Sequence, residues 1–271
     1  MDEAKLMSVK SLKWYRQLAD KKGRLEAGLF LVEGEKAIRQ VVASHPDTIA
    51  EIISVAEPAS LYRQYPARII TASQFRYISS TQTPQGIAAV VKIPPDIYSA
   101  KLPENVGKHL LLLEDIQDPG NVGTLIRTAA ALEYSGVILT ENCADPLNPK
   151  CVQASAGTVL SLWLRRTEKY LETVQILKRD GYKIVAADVR GSDEPAILTR
   201  QEKLVLTLGN EAAGLSKEIL EIADYRVRIP VAPEKAESLN VAACGAILMY
   251  LSLGNKSSTE GKCTNRFPNS Q

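Results

Sequence analysis

From residue 109 onward, short apolar runs alternate with longer stretches whose apolar positions recur every third or fourth residue. The runs His109–Leu113, Gly136–Leu139, Tyr182–Ala187, Lys203–Leu208 and Tyr225–Ile229 read as strands. The stretches Gly120–Leu132, Leu171–Arg179 and Ser238–Leu253 read as helices. Runs such as HLLLL and LVLTL carry no polar alternation, which suits strands covered on both faces. Strand–helix alternation of this kind predicts an α/β domain with a mostly parallel sheet.

Upstream, AEIISVA, ARIITA and GIAAVVKI predict strands, and EKAIRQVVASH and SQFRYISS predict helices. They suit a small α/β domain of roughly 90 residues. The stretch Lys92–Lys108 holds three prolines and a glycine with little periodicity, which marks a linker. The expected division is 1–95, linker 96–108, second domain 109–254, and a polar tail 255–271 expected to be disordered.

Composition narrows the chemistry. Hydrophobic residues at 45% and charged residues at 24% are those of a globular chain. No apolar run reaches the ~18 residues of a membrane span, so no membrane helix is predicted. The first residues hold no apolar signal core, so a cytoplasmic location is expected. Four cysteines form no CxxC pair and there are only two histidines, so no metal site is expected. The charge is uneven. Residues 1–95 carry 13 Lys and Arg against 9 Asp and Glu, while residues 96–271 carry 20 against 22. The first 24 residues hold seven basic and three acidic groups around Trp14 and Tyr15, a mixture that suits a phosphate-bearing partner. A solvated, charged N-terminal helix explains the same composition.

In open α/β sheets, ligands bind beyond the carboxyl ends of the strands. Three polar loops follow strands here: EDIQDPGNVG, GNEAAGLS and PVAPEKAESLN. The second has phosphate-loop spacing but Leu215 where that motif needs lysine. Neither GxGxxG nor GxSxG follows any strand. Simpler readings exist for each loop. Its glycines permit a tight turn, Ser238 suits a helix N-cap, and Asn121 and Arg127 fit a turn followed by an amphipathic helix. Glu211 and Asn240 are harder to explain by packing alone, since asparagine is a mediocre helix former.

Together the segments DPGNVGTLIRTAAAL, LVLTLGNEAAGLS and VRIPVAPEKAESLNVAACGAIL resemble the three motifs of the SpoU (TrmH-like) family of RNA ribose 2′-O-methyltransferases, of the SPOUT superfamily. QASAGTVLSL resembles the family's loop between the first two motifs, and KKGRLEAGLFLVEGEKAI and TPQGIAAVV resemble its substrate-binding domain. The resemblance covers about residues 10–253. It implies an α/β catalytic domain with a parallel sheet and a deep trefoil knot, preceded by a small α/β substrate-binding domain. It implies S-adenosylmethionine as cofactor, RNA as partner, and a homodimer. Ribosomal RNA (23S) is the first-choice substrate. Transfer RNA, or RNA binding without catalysis, is the alternative. By position in the motifs, Arg127, Asn121, Glu211, Ser238 and Asn240 are the expected catalytic set. Leu208, Gly209, Asn210, Ile229, Ser238 and Leu239 are expected at the cofactor. Lys21, Lys22, Arg24 and Arg39, with Arg127, are expected at RNA phosphates.

Overall fold

The computed structural model describes residues 10–232, 234, 235 and 238–254; the expected disordered tail lies outside them. Two helices open the described residues, α1 (Leu12–Gln17) and α2 (Lys21–Ala27). They are not a solvated helix, because Tyr15 and Arg24 are each 1% exposed. A mixed sheet follows from β1 (Leu29–Glu33), β2 (Ile49–Ser54), β3 (Ala67–Ile69) and β4 (Ile87–Lys92), in the order β1-β4-β2-β3. β4 runs antiparallel to both β1 and β2, and β3 lies parallel to β2 at the edge.

Period-two alternation decides what each face of this sheet touches. Phe30, Val32, Ile52, Ala89 and Val91 join the large core, together with helix α3 (Glu35–Ser44). Leu31, Ile53, Ala88 and Val90 form a second core with Tyr15, Leu18, Phe75 and Ile78, from α1 and helix α4 (Ala72–Ile78).

The second sheet has six strands, all parallel: β5 (His109–Leu113), β6 (Gly136–Leu139), β7 (Trp163–Arg166), β8 (Lys183–Ala187), β9 (Leu204–Leu208) and β10 (Tyr225–Val227). Their order is β10-β8-β9-β5-β6-β7. The strands predicted from apolar runs are present, and β9 is buried at every position. β7 escapes the pattern because half of it is arginine. Arg165 and Arg166 are 7% and 8% exposed yet fully charged types. Their guanidinium groups donate to carbonyls of Lys101, Leu164, Glu141 and Cys143, which replaces the water lost on burial. The covering helices are α5 (Pro119–Ala131), α6 (Pro149–Ser155), α7 (Tyr170–Arg179), α8 (Lys217–Ile222) and α9 (Val241–Ser252).

The stretch 96–108 is not a free tether. Ile97 is 2% exposed, its carbonyl accepts from Arg166 N at 2.7 Å, and Trp163 Nε1 donates to the Val106 carbonyl at 3.0 Å. The large core accordingly contains residues of both sheets. Where α9 crosses α5, a Cβ on Gly245 would stand 2.4 Å from a Leu125 methyl and 2.7 Å from a Leu208 methyl, so a larger residue would have to push both leucines aside.

Candidate active site

β5 ends in two carboxylates that fasten neighbouring loops. Glu114 is 4% exposed, and its oxygens accept from Ser216 N at 2.8 Å, Ser216 Oγ at 2.7 Å and Tyr170 Oη at 2.8 Å. Ser216 caps α8, so Glu114 anchors the foot of the loop that leaves β9. Burial, then the bond to Glu114, push the Tyr170 hydroxyl up to about 12. Asp115 adopts φ 56°, exchanges hydrogen bonds with Thr140, and offers its carbonyl to Asn210 Nδ2 at 2.8 Å.

The loop after β9 closes on itself. Asn210 and Gly214 exchange both main-chain hydrogen bonds, at 3.1 and 2.9 Å. A Cβ on Gly209 would lie 2.4 Å from the Gly214 backbone, so the closure requires glycine there. Asn210 Oδ1 accepts from the amides of Ala212 and Ala213. The glycines and Asn210 thus shape the loop, and Glu211 stands at its tip.

Glu211 is where the three loops meet. Asn121 lies in the first turn of α5, where its amide donates to the N-cap Asp118 at 2.8 Å. Its Nδ2 donates to Glu211 Oε1 at 2.8 Å, and its Oδ1 accepts from Asn240 Nδ2 at 3.2 Å. Asn240, rather than Ser238, is the N-cap of α9, with Oδ1 accepting from the amides of Ala242 and Ala243. That corrects the expected helix start and explains why asparagine stands there.

Arg127 does not join this cluster. Six helical residues rotate its side chain by about 120° from Asn121 once whole turns are removed. It is exposed, with no hydrogen-bond or ion-pair partner among the described residues.

Beside the cluster lies a cleft of about 370 Å³ at the carboxyl ends of β8 and β10. Val189, Val227, Ile229, Val231 and Leu239 supply apolar wall, and Ser238 and Asp188 supply polar groups. Burial opposes the charge of Asp188, but the Arg190 amide and the Arg226 guanidinium outweigh it and hold its carboxyl below the usual range. Of the expected cofactor residues, Ile229, Ser238 and Leu239 line this cleft. Leu208, 1% exposed, ends β9, and Gly209 and Asn210 open the loop after it; these three are not among the residues that line the cleft. Ala187, Asp188 and Val189 went unread in the sequence. The available signal was a fourth strand followed by a polar, glycine-bearing loop, DVRG. Residues 238–240 join the two features: Ser238 and Leu239 face the cleft, and Asn240 holds the polar cluster.

The expected phosphate contacts fare differently. Arg24 is buried, its guanidinium donating to Leu18 O, Ala19 O and Asp145 Oδ2, and cannot meet a phosphate. Lys21, Lys22 and Arg39 are paired with Glu141, Glu26 and Glu35. Among the described residues there is no helix long and apolar enough to cross a membrane and no side-chain group that could hold a metal.

Residues 108–250 match the SpoU rRNA Methylase family, and residues 9–89 match the MRM3-like substrate binding domain. The chain is 31% identical to the 23S rRNA (guanosine(2553)-2′-O)-methyltransferase RlmP of Bacillus subtilis, over 92% of this chain and 97% of that one. The crystal structure of the SpoU methyltransferase AviRb from Streptomyces viridochromogenes with the cofactor AdoMet superposes with a TM-score of 0.79 at 25% identity, covering 92% and 98% of the two chains. The AdoMet-bound rRNA methyltransferase of Sinorhizobium meliloti gives 0.77 at 27% identity, covering 91% and 96%.

Proposed function

The chain belongs to the SpoU rRNA methylase family, and from that premise we propose that it methylates a ribose 2′-hydroxyl of 23S ribosomal RNA from S-adenosylmethionine. The observation that carries this reading is the junction at 238–240, which joins an apolar cleft to the Asn121–Glu211–Asn240 cluster.

The cleft fits the cofactor. Its volume lies in the range of small-molecule sites, its apolar walls suit a flat base, and Ser238 supplies a hydrogen-bonding group. Ile229, Ser238 and Leu239 would hold it, with Ala187 and Val189 from the opposite wall. When bound, the cofactor supplies a methyl group made electrophilic by its sulfonium charge.

The chain's own residues do the rest. The polar cluster fixes the position of Glu211 and of the α9 N-terminus, and holding reactants in line contributes several kcal/mol at the level of ~7–11 for well-oriented pairs. Arg127 binds the phosphate beside the reacting ribose and stabilises the developing alkoxide. A guanidinium is a poor proton acceptor and a strong, charged hydrogen-bond donor, so charge stabilisation is the stronger role and proton removal the weaker one. Because Arg127 points away from its own cluster, the reading places it in the site of a second subunit. An exposed stripe supports that dimer: Thr124, Arg127 and Ala131 on α5 lie beside Ala243, Ile247 and Tyr250 on α9. Tyr250 is 67% exposed in the single chain. The same reading takes the chain between β9 and α9 through the trefoil knot that the resemblance implies.

The test is transfer of a radiolabelled methyl group to total RNA lacking this modification, followed by nucleoside analysis. A labelled 2′-O-methylnucleoside in the 23S fraction is expected. Label confined to transfer RNA would replace the substrate, and no label from protein that binds the cofactor would remove the activity. Arg127→Ala is expected to bind cofactor normally and lose at least a hundredfold in turnover, as loss of one charge-stabilising donor does elsewhere, at about 10²–10³.

A further inference from the structure

We propose that the face formed by α1 and α4 is a second RNA-binding surface, remote from the methylated ribose, that grips unpaired nucleotides by stacking and charge. The inference rests on the reading of the chain as an RNA enzyme and adds where, and in what form, the RNA is held.

Every cation expected at phosphates on α2 and α3 is neutralised by a carboxylate. Of the cations on those two helices, Lys36 has no carboxylate partner among the described residues, and a denser group of cations without one lies elsewhere. Segments 10–19 and 70–86 contain Lys10, Lys13, Arg16 and Arg76 and no aspartate or glutamate. α1 and α4 pack side by side, and Arg16 Nη1 donates to the Tyr77 carbonyl at 3.2 Å. Arg16 thus reaches across to α4, and all four cations lie on or next to these two adjoining helices. None of them has a carboxylate partner among the described residues.

Rings lie among these charges. The Arg16 guanidinium sits 4.8 Å from the centroid of Tyr77, a ring that is 43% exposed, and Lys10 Nζ lies 5.6 Å from the centroid of Trp14. An exposed aromatic ring backed by a guanidinium is a platform for an unpaired base, and lysines and arginines around it suit the flanking phosphates. Duplex RNA offers no free base face to such a ring, so the surface selects loops and single strands.

Position sets the role. α1 and α4 cover the sheet face that carries its own core, whereas the other face shares a core with the catalytic half. RNA held on α1 and α4 is thus held away from Asn121, and the surface governs which RNA is retained rather than the rate of transfer.

The test uses the full-length protein and two fluorescent probes, a 12-nucleotide uridine strand and a blunt RNA duplex of equal length. Tyr77→Ala is expected to weaken the strand by about five- to a hundredfold, the range of one lost base–aromatic stack, with the duplex unaffected. The Lys13→Ala/Arg76→Ala variant is expected to lower the salt slope by about 1.4, at ~0.7 per single-strand phosphate. Lys22→Ala and Arg39→Ala should change neither. Cofactor binding by calorimetry should match wild type throughout, and with 23S rRNA the KM should rise at constant kcat. Tyr77→Leu, which keeps volume without a ring, should behave as Tyr77→Ala and serves if the latter misfolds. Wild-type strand affinity and salt slope in the folded variants would overturn the proposal, as would equal displacement of RNA by polyglutamate, which would assign the face to an acidic protein. Ring-dependent strand binding by an enzyme that transfers no methyl group would sink the reaction and leave this surface standing.

Discussion

Asn240 uses the two ends of one amide for two tasks. Its oxygen caps α9, and its nitrogen holds Asn121, which holds Glu211. Aspartate can cap but cannot donate, so Asn240→Asp separates the tasks. We expect Asn240→Asp to keep the thermal midpoint of the wild type while methyl transfer falls. Asn240→Ala should lose both, with about 1 kcal/mol of stability from the missing cap. Equal turnover in wild type and Asn240→Asp would show that the Asn121 link is dispensable. The motif named Asn240 but not its first task. Serine and asparagine cap equally well, so Ser238 was as good a candidate until the backbone placed Val241 at the first helical position. Arg127 shows the opposite limit: its type was legible, yet only the helix rotation reveals that it leaves its own cluster.

At the scale of elements, the sheet strands that follow apolar runs were readable because burial on both faces leaves one residue class to choose from. β7 was not, because carbonyls from two loops solvate its two arginines, and those loops are distant in sequence. The ties between loops are equally invisible in sequence. Glu114, Tyr170 and Ser216 lie up to 102 residues apart and converge only when β5, α7 and α8 are in place. Their coupling has a pH signature. Tyr170 rises from 10.0 to about 12 on folding, through burial and then Glu114. A raised folded value means that its contribution is complete below pH 10.0 and is lost as pH climbs through about 12. Tyr15 follows the same course, raised to about 12 by burial and then its bond to Glu51. Denaturant midpoints should therefore fall across that window, and fall less in Tyr170→Phe. A slope unchanged by that substitution would remove Tyr170 from the account.

At the scale of the molecule, the two sheets share one core. The composition break at residues 92–108 suggests separable domains, but composition cannot report a core that closes across it. Arg24 of α2 reaches Asp145 at 2.9 Å in a place where the arginine side chain is 2% exposed, and Tyr98 from the connecting stretch donates to the same carboxylate at 3.0 Å. Removing one partner of a buried pair leaves the other charge unsolvated, which costs about 3–5 kcal/mol. Arg24→Ala should thus lower the stability of the whole chain by that order, and Asp145→Ala likewise. The double variant should cost less than the sum, because each single change already breaks the same contact. Heating should give one transition, and S-adenosylmethionine should raise all of it by mass action, even though the cleft proposed for it lies in the C-terminal half. Two transitions, with Arg24→Ala moving only one of them, would mean that the halves melt independently. In that case the N-terminal half could be removed without loss of the fold that binds the cofactor. The shared core argues against this: cutting at residue 95 would expose the residues that Phe30, Val32, Ile38 and Val41 now cover. The RNA-binding role proposed for that half is therefore better measured by point substitutions on its surface than by deletion.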